Sequence, residues 1–220
     1  MPRFGMLIDL RTCIGCHACS IACKAEFDVP LGHFRDTVKY IEEGKYPKAP
    51  RHFVPVLCNH CDDAPCLSAC PTSAIVRLPS GEVQINDGDC NVNRFCQAAC
   101  PYGAIYIDPD DHVAQKCTFC DHRTAIGLKP ACVQACPTGC RVFGDLDDPT
   151  SEVAKRAASH ETTTWKPGAG TRPKVLYIDP RGALPLIENE GVQADTRPKM
   201  LGDPRSAQGE YRPHGGEGPK

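Results

Sequence analysis

Cysteine is the residue type through which this chain can do chemistry, because it occurs sixteen times in 220 residues and mostly in tight groups. Fifteen of the sixteen fall into four such groups. The groups are Cys13, Cys16, Cys19 and Cys23; then Cys58, Cys61, Cys66 and Cys70; then Cys90, Cys96 and Cys100; and finally Cys117, Cys120, Cys132 and Cys136. Thiols at such short spacing are ligands for soft metal centres.

The spacing within the groups favours one kind of metal centre. In the bacterial ferredoxin pattern, three close cysteines bind one iron–sulfur cubane, while a fourth, placed before a proline, binds the other cluster of a pair. Here Pro71, Pro101 and Pro137 follow the last cysteines of the second, third and fourth groups. Four groups therefore predict two pairs, four clusters and a protein that moves electrons.

Disulfides and zinc are the two alternative uses of so many cysteines. Disulfide scaffolds belong to short secreted chains with a cleavable signal, and the start MPRFGMLIDL has neither a long apolar core nor a cleavage site, so we expect no such signal. No apolar run approaches about 18 residues, so we also expect no membrane span. A zinc ribbon needs two separated C-x2-C pairs, whereas four thiols within eleven residues would crowd one tetrahedral ion. The repeated Cys-Pro endings also have no role in zinc binding. Both alternatives are weaker than iron–sulfur ligation.

Charge excludes one class of partner. The apoprotein charge of −2 argues against a nucleic-acid surface, which would be distinctly basic. Clusters held by thiolates are negative, so we expect the holoprotein to be more acidic still. Basic residues close to cysteines would raise cluster reduction potentials, although an ordinary solvated surface position is an equal alternative for each. These residues are Arg11, Lys24, Arg94, Lys116 and Arg141.

The elements that must position the cysteines repeat along the chain. Segments such as LSAC and VQAC, between a third and a fourth cysteine, favour a short helical turn. A longer helix is predicted from a cap at Thr150 or Ser151 through Ser159. Strands are predicted over Phe4–Asp9, Phe53–Leu57, Ala74–Leu78, Glu82–Ile85, Ala104–Ile107, Val142–Phe143 and Val175–Ile178. Strand, cluster loop, short helix and strand form a ferredoxin half-unit, and four half-units are visible.

The third group lacks one expected thiol. Counting from Cys90 places the missing cysteine at Asn93. Cys90, Cys96 and a cross-over cysteine, Cys70, remain as ligands. The centre is then either a three-iron cluster, which we favour, or a four-iron cluster completed by Asn93 or water. Replacing a thiolate with a neutral amide removes negative charge and should raise the potential.

Four further residues near the groups have no predicted ligand role. Cys140 is the thiol left over, and we expect a small buried hydrophobe there rather than a redox group. His17, His60 and His122 lie among the cysteines, but the spacing leaves no vacancy for them. Surface or supporting positions are therefore expected for these histidines.

Several stretches resemble the iron–sulfur subunit of the dimethyl-sulfoxide-reductase family of molybdenum enzymes, especially those of polysulfide, thiosulfate, tetrathionate and arsenate reductases. The stretches are LIDLRTCIGCHACSIACK, LCNHCDDAPCLSACPT, CQAACPYGAIY, KCTFCDHR, PACVQACPT and GCRVFGDLDDP. In this family the subunit relays electrons between a molybdopterin catalytic subunit and a quinone-reactive membrane subunit. The resemblance implies a non-catalytic, membrane-associated electron-transfer subunit, with the periplasmic face favoured over the cytoplasmic one. A subunit of a formate dehydrogenase or hydrogenase is the alternative.

The resemblance also implies which cysteines share a cluster. The implied sets are Cys13, Cys16, Cys19 with Cys136; Cys23 with Cys117, Cys120, Cys132; Cys58, Cys61, Cys66 with Cys100; and Cys70 with Cys90 and Cys96. Three [4Fe–4S] clusters are expected, plus a fourth centre at Asn93, where [3Fe–4S] is favoured over [4Fe–4S]. By family position, the first and fourth groups face the molybdenum subunit and the Asn93 site faces the membrane.

We therefore predict an α+β fold of two ferredoxin-like lobes, each binding two clusters, with irregular insertions and an extended tail. Residues 1–57 hold the first half-unit and an irregular, partner-contacting insert, and residues 58–108 form the second lobe. Residues 109–190 complete the first lobe and add C-terminal elements. Residues 191–220 are rich in glycine and proline and cannot bury a core of their own.

Overall fold

The structure, a computed structural model, describes residues 2–187 as short strands and helices separated by cysteine-bearing loops. The strands are β1 Phe4–Asp9, β2 Asp36–Glu42, β3 Arg51–Leu57, β4 Ile75–Arg77, β5 Val83–Ile85, β6 Tyr106–Ile107, β7 Ala114–Gln115, β8 Arg141–Asp145 and β9 Val175–Ile178. The helices are α1 Ala18–Glu26, α2 Pro65–Ser68, α3 Phe95–Ala99, α4 Asp121–Thr124, α5 Ala131–Gln134, α6 Glu152–Ser159 and α7 Ala183–Leu186. The predicted tail at 191–220 lies outside the described residues.

A three-stranded sheet brings both ends of the described chain together. Strand β1 is central, antiparallel to β8 and parallel to β9. Leu7 lies opposite Val142 on one side and Leu176 on the other. Both faces of β1 are covered, so its side chains are buried without the usual polar alternation. Helix α6 covers one face through Val153, and Ser151 caps that helix as predicted, accepting a hydrogen bond from the Ala154 N–H at 3.1 Å.

We predicted an irregular insert between the first two cysteine groups, but the structure contains a β-hairpin there. Strands β2 and β3 pair antiparallel over seven positions, from Asp36 opposite Leu57 to Glu42 opposite Arg51. Most of the glycines and prolines that suggested irregular structure lie outside these strands, which leaves both segments free to pair. Val38 and Val54 are buried in the main core, because the hairpin packs its apolar face against the cysteine loops.

The smaller hairpins follow the second and third cysteine groups. Strands β4 and β5 pair after the second group, and β6 and β7 pair after the third. The main core contains many buried cysteines among its apolar side chains. Apolar side chains alone therefore form only part of the interior, and the remaining interior is the thiol-lined space described below.

The segment that leads into β9 connects the second cysteine group to the central sheet. The Asp63 N–H donates to the Thr171 carbonyl oxygen at 3.0 Å, and the Lys174 N–H donates to the Asn59 carbonyl oxygen at 2.9 Å. The hydroxyl of Tyr177, on β9, donates to the Pro55 carbonyl oxygen at 2.9 Å. These bonds fix the second group relative to β1.

Across residues 2–187, no helix combines the length and the apolar composition needed to cross a bilayer.

Candidate metal centres

Cysteine side chains line three hollows of the structure. We name them with their cysteines. Site A contains Cys13, Cys16, Cys19 and Cys136; site C contains Cys58, Cys61, Cys66 and Cys100; and site D contains Cys70, Cys90 and Cys96. The thiols of each site surround a space rather than meet at a point.

Site B is a fourth set of mutually close thiols, which are Cys23, Cys117, Cys120 and Cys132. Burial, followed by the neighbouring charges of Cys117, Asp36, Cys132 and Cys120, raises the pKa of Cys23. Helix α1, which carries Cys23, packs against α5, which carries Cys132. The contact of these two helices brings Cys23 and Cys132 together, and the loop before α4 adds Cys117 and Cys120, so all four buried thiols converge.

In each site, one cysteine comes from a different sequence group. Cys19 and Cys23 lie one turn apart on α1, so the helix presents one thiol to site A and the other to site B. Cys132 and Cys136 belong to the same two sites in reverse order, with Cys132 in site B and Cys136 in site A. Cys66 and Cys70 divide between sites C and D. The structure thus brings together the same four sets of cysteines that the family resemblance implies.

The thiols suit multinuclear centres. All sixteen cysteines are free, and none forms a disulfide within residues 2–187. In that same region, no three histidine, cysteine, aspartate or glutamate side chains converge closely enough for a single ion. A cluster contains iron and sulfide atoms that keep its thiolates apart, whereas a zinc ion needs all of its thiolate sulfurs within about 2.3 Å of the metal. The thiols spaced around the hollows of sites A, C and D fit the first requirement.

Hydroxyl and N–H groups contact the sulfur atoms, and the sequence alone did not assign them. Thr72 and Thr138, each two residues after a cross-over cysteine, place their hydroxyls 3.5 and 3.6 Å from the sulfurs of Cys70 and Cys136. Burial would raise the pKa of Cys70, but hydrogen bonds from Thr72 and from backbone N–H groups lower it overall. The Ala114 N–H also donates to the Cys90 sulfur at 3.5 Å. Such donors stabilise the reduced form of a cluster. The repeated Cys-Pro-Thr sequence was the available signal.

A buried ion pair lies between sites A and B. Arg141, at the start of β8, donates to both carboxylate oxygens of Asp36, at the start of β2, one of them at 2.7 Å. Both side chains are 1% exposed. Burial raises the pKa of Asp36, whereas Arg141 and hydrogen bonds with Cys132 and Cys19 oppose the rise. The carboxyl group therefore contacts thiols from both sites.

Cys140 is buried as predicted, but it lies in the wall of site A. Its sulfur is 3.5 Å from that of Cys136. A hydrogen bond from Cys140 is also the main cause of the lowered pKa of Cys13. Site A is therefore lined by five thiols, four of which match the ferredoxin pattern.

Asn93 lines site D, but both polar atoms of its side chain bond within its own loop. The amide oxygen accepts a hydrogen bond from the Phe95 N–H at 2.9 Å, at the start of α3. The amide nitrogen donates to the Asn91 side-chain oxygen at 2.5 Å. Asn93 thus occupies the sequence position that Cys16 has in site A, with its amide engaged in shaping the loop.

The predicted basic residues and histidines divide between interior and surface. Lys116 and Arg141 are buried, whereas Arg94 is exposed and Arg11 pairs with Asp9 at the surface. Lys24 donates to the carbonyl oxygens of Val29, Pro30 and His33.

His60 is fully buried, with its ring centroid 3.8 Å from that of Phe119. His17 is half-buried, and His122 pairs with Glu26 at 2.7 Å.

The thiol-lined sites define the chain as an iron–sulfur protein of the ferredoxin-like class, and comparison with known proteins agrees. A 4Fe-4S dicluster domain matches residues 50–146. That match, together with the mixture of short helices and strands, confirms the predicted α+β, ferredoxin-like fold in its general form.

Relatives that match most of the chain identify the family. A tetrathionate reductase subunit from Salmonella typhimurium is 41% identical over 181 residues, covering 80% of this chain and 72% of the relative. The arsenate respiratory reductase iron–sulfur subunit of a Shewanella species is 38% identical, covering 80% and 96%. The thiosulfate reductase electron transfer subunit of Salmonella typhi is 43% identical, covering 72% and 83%. The chain belongs to the iron–sulfur subunits of the dimethyl-sulfoxide-reductase family, as its motifs predicted.

The function that follows is electron transfer through [4Fe–4S] clusters as a subunit of an oxidoreductase. This confirms the main functional prediction.

Proposed function

We propose that sites A, B, C and D each hold one iron–sulfur cluster, ligated by the fifteen cysteines named for them. The observation that carries the proposal is that every site draws its last thiol from another sequence group, as paired ferredoxin clusters do. Sites A and B would form one lobe and sites C and D the other. In this division residues 58–108 form the second lobe, residues 1–57 and 109–190 form the first, and residues 191–220 lie beyond both.

Neighbouring contacts support a single line of sites in the order A, B, C, D. Asp36 contacts Cys19 of site A and Cys132 of site B. The charge of Cys58 of site C contributes to the raised pKa of Cys117 of site B, after burial. Sites C and D share the segment that carries Cys66 and Cys70. Electrons entering at either end would thus cross all four centres.

The engaged amide of Asn93 supports a [3Fe–4S] cluster at site D. To ligate a fourth iron, the amide oxygen would compete with the Phe95 N–H that it already accepts. Three thiols remain there, and a soft metal centre without its fourth thiolate has no equivalent replacement in the described wall. Sites A, B and C would hold [4Fe–4S] clusters.

The partners would be a molybdopterin catalytic subunit and a quinone-reactive integral membrane subunit. The relatives support this assignment, because their names describe subunits of tetrathionate, arsenate and thiosulfate reductases. The substrate of the complex would be an oxidised sulfur or arsenic compound, and the complex would lie on the periplasmic face of the membrane. A formate dehydrogenase or hydrogenase complex is the alternative, with the same electron-transfer path through the clusters and another catalytic partner.

Iron content and partner-dependent redox cycling test the proposal together. Anaerobically loaded protein should contain about fifteen irons per chain, whereas about eight would overturn the four-centre assignment. In the assembled complex, a quinol should bleach the visible cluster absorption, and tetrathionate, thiosulfate or arsenate should restore it. Restoration by none of these compounds, together with reduction by formate or hydrogen, would favour the alternative.

A further inference from the structure

Lys116 is a buried lysine placed between sites B and C. The residue is 2% exposed and directly precedes Cys117 of site B. Its ammonium group donates hydrogen bonds to the Cys117 carbonyl oxygen at 3.0 Å and to the Val83 carbonyl oxygen. Val83 lines site C, and its N–H donates to the ring of His60, which lines the same site. The ammonium group therefore contacts the backbone of both sites.

No carboxylate within residues 2–187 forms an ion pair with Lys116. Glu82 is buried next to Val83 in the sequence, but it accepts a hydrogen bond from Ser80 instead. Lys174 provides the contrast, because it is equally buried and is paired with Asp62 at 2.7 Å. An unpaired buried charge is strongly unfavourable. Lys116 therefore requires negative charge that the surrounding side chains do not supply.

The ammonium group of Lys116 is fixed next to both sites. One of its acceptors is the carbonyl oxygen of Cys117, whose thiol belongs to site B, and the other is the carbonyl oxygen of Val83, in the wall of site C. The two sites also adjoin through the stacked rings of His60 and Phe119. Thiolate-ligated clusters are negative and become more so when reduced. Clusters in these two sites would supply the charge that Lys116 lacks.

We propose that Lys116 is the shared counter-cation of the clusters at sites B and C, and that its charge raises both reduction potentials. The inference rests on the proposed function, because it requires a cluster in each site. The step that it governs moves one electron from one cluster to the other, with no proton transferred and no bond broken. A fixed positive charge favours the reduced form of either cluster, so the electron is stabilised where the two halves of the relay meet.

The test is a potentiometric titration of the full, iron-loaded chain, followed by electron paramagnetic resonance. Lys116→Gln keeps a hydrogen-bond donor and removes the charge. Two of the four centres should become harder to reduce, each by about tenfold in the one-electron equilibrium, equivalent to ~59 mV, while the other two keep their potentials. Lys116→Met should give the same two shifts, and Lys116→Arg should leave all four potentials as in the wild type.

The matched control is the double variant Lys174→Gln with Asp62→Asn. It changes an equally buried lysine in the same region without changing the net charge, so all four potentials should be retained. The inference is overturned if uncharged variants shift no centre or all four equally, or if Lys116→Arg behaves as Lys116→Gln does.

Iron analysis separates the two proposals. Wild-type protein with fewer than four centres counts against the proposed function, whereas fully loaded variants with unshifted centres count against Lys116 alone.

Discussion

Sites A and D are built on the same sequence frame but contain different numbers of thiols. Each closes on a Cys-Pro-Thr sequence whose threonine hydroxyl contacts the cross-over sulfur. Site A continues with Cys140 and Arg141, whereas site D has Ala74 and Ile75 at the same places. Site A also has Cys16 where site D has Asn93. One site is therefore lined by five thiols and the other by three.

The difference shows which parts of a site are constant and which are adjustable. A cysteine loop followed by a short helix encloses both hollows, although one is lined by five thiols and the other by three. The variable positions lie directly around the sulfurs and change charge and hydrogen bonding. Site A has an additional sulfhydryl donor and a buried ion pair, whereas site D has a neutral amide at the position where site A has a thiol.

Removing iron tests what the two sites share, and it should have the largest effect. We expect chelation to unfold most of residues 1–150, because thiols occupy much of the interior and metal binding is coupled to folding. Circular dichroism before and after chelation measures the loss. A cooperative thermal transition that persists in the apoprotein would show that apolar packing alone holds the fold.

Giving site A the isoleucine of site D should be the most damaging single substitution. Arg141→Ile leaves the Asp36 carboxyl buried without its partner, which costs about 3–5 kcal/mol of unfolding free energy. Denaturant unfolding of the loaded protein measures the cost, and the double variant with Asp36→Leu should recover most of it. The surface substitution Arg156→Ala, which removes an ion pair with Glu152, should cost only about 0.3–0.5 kcal/mol. A comparably small loss for Arg141→Ile would mean that the buried pair is not a stability determinant.

Giving site D the thiol of site A should convert its cluster. We expect Asn93→Cys to add about one iron per chain and to abolish the paramagnetic signal that an oxidised three-iron cluster gives. The added thiolate charge should lower the potential of that centre and slow quinone-coupled turnover in the complex. Asn93→Ala is the control and should keep the signal. Wild-type protein that is silent when oxidised, with four reducible cubanes, would contradict the three-iron assignment.

Removing the fifth thiol of site A should have the smallest effect. Cys140→Ala deletes the hydrogen bond that the Cys140 thiol gives to Cys13 but no predicted ligand, so the iron content should not change. The reduction potential of one centre should fall, because losing one donor disfavours its reduced form. The equilibrium constant for its one-electron reduction should decrease by less than about tenfold. Cys140→Ser retains a donor and should lie between alanine and wild type. Loss of iron from Cys140→Ala would instead identify Cys140 as a ligand.

Local patterns in the sequence predicted several of the elements. Strands β1 and β9 have the predicted bounds, and Ser151 is the predicted cap, because each depends on neighbouring residues. Strand β3 was predicted over Phe53–Leu57, but its partner β2 was missed, because the glycine- and proline-rich surroundings suggested an irregular insert. The long-range pairs were not predictable. Asp36 meets Arg141 across 105 positions, and nothing near either residue specifies the other. The burial of Lys116 depends in the same way on the distant β5.

The exchange of cysteines between groups has a consequence for the order of assembly. Sites C and D use cysteines from one continuous stretch, residues 58–100, and are complete when that stretch has left the ribosome. Sites A and B need thiols near the start of the chain and others that follow Lys116, so they must wait for most of the protein to be made. Closing this outer loop is entropically more costly than closing the inner one. Sites C and D, in the middle of the chain, should therefore assemble first, and sites A and B should assemble after them.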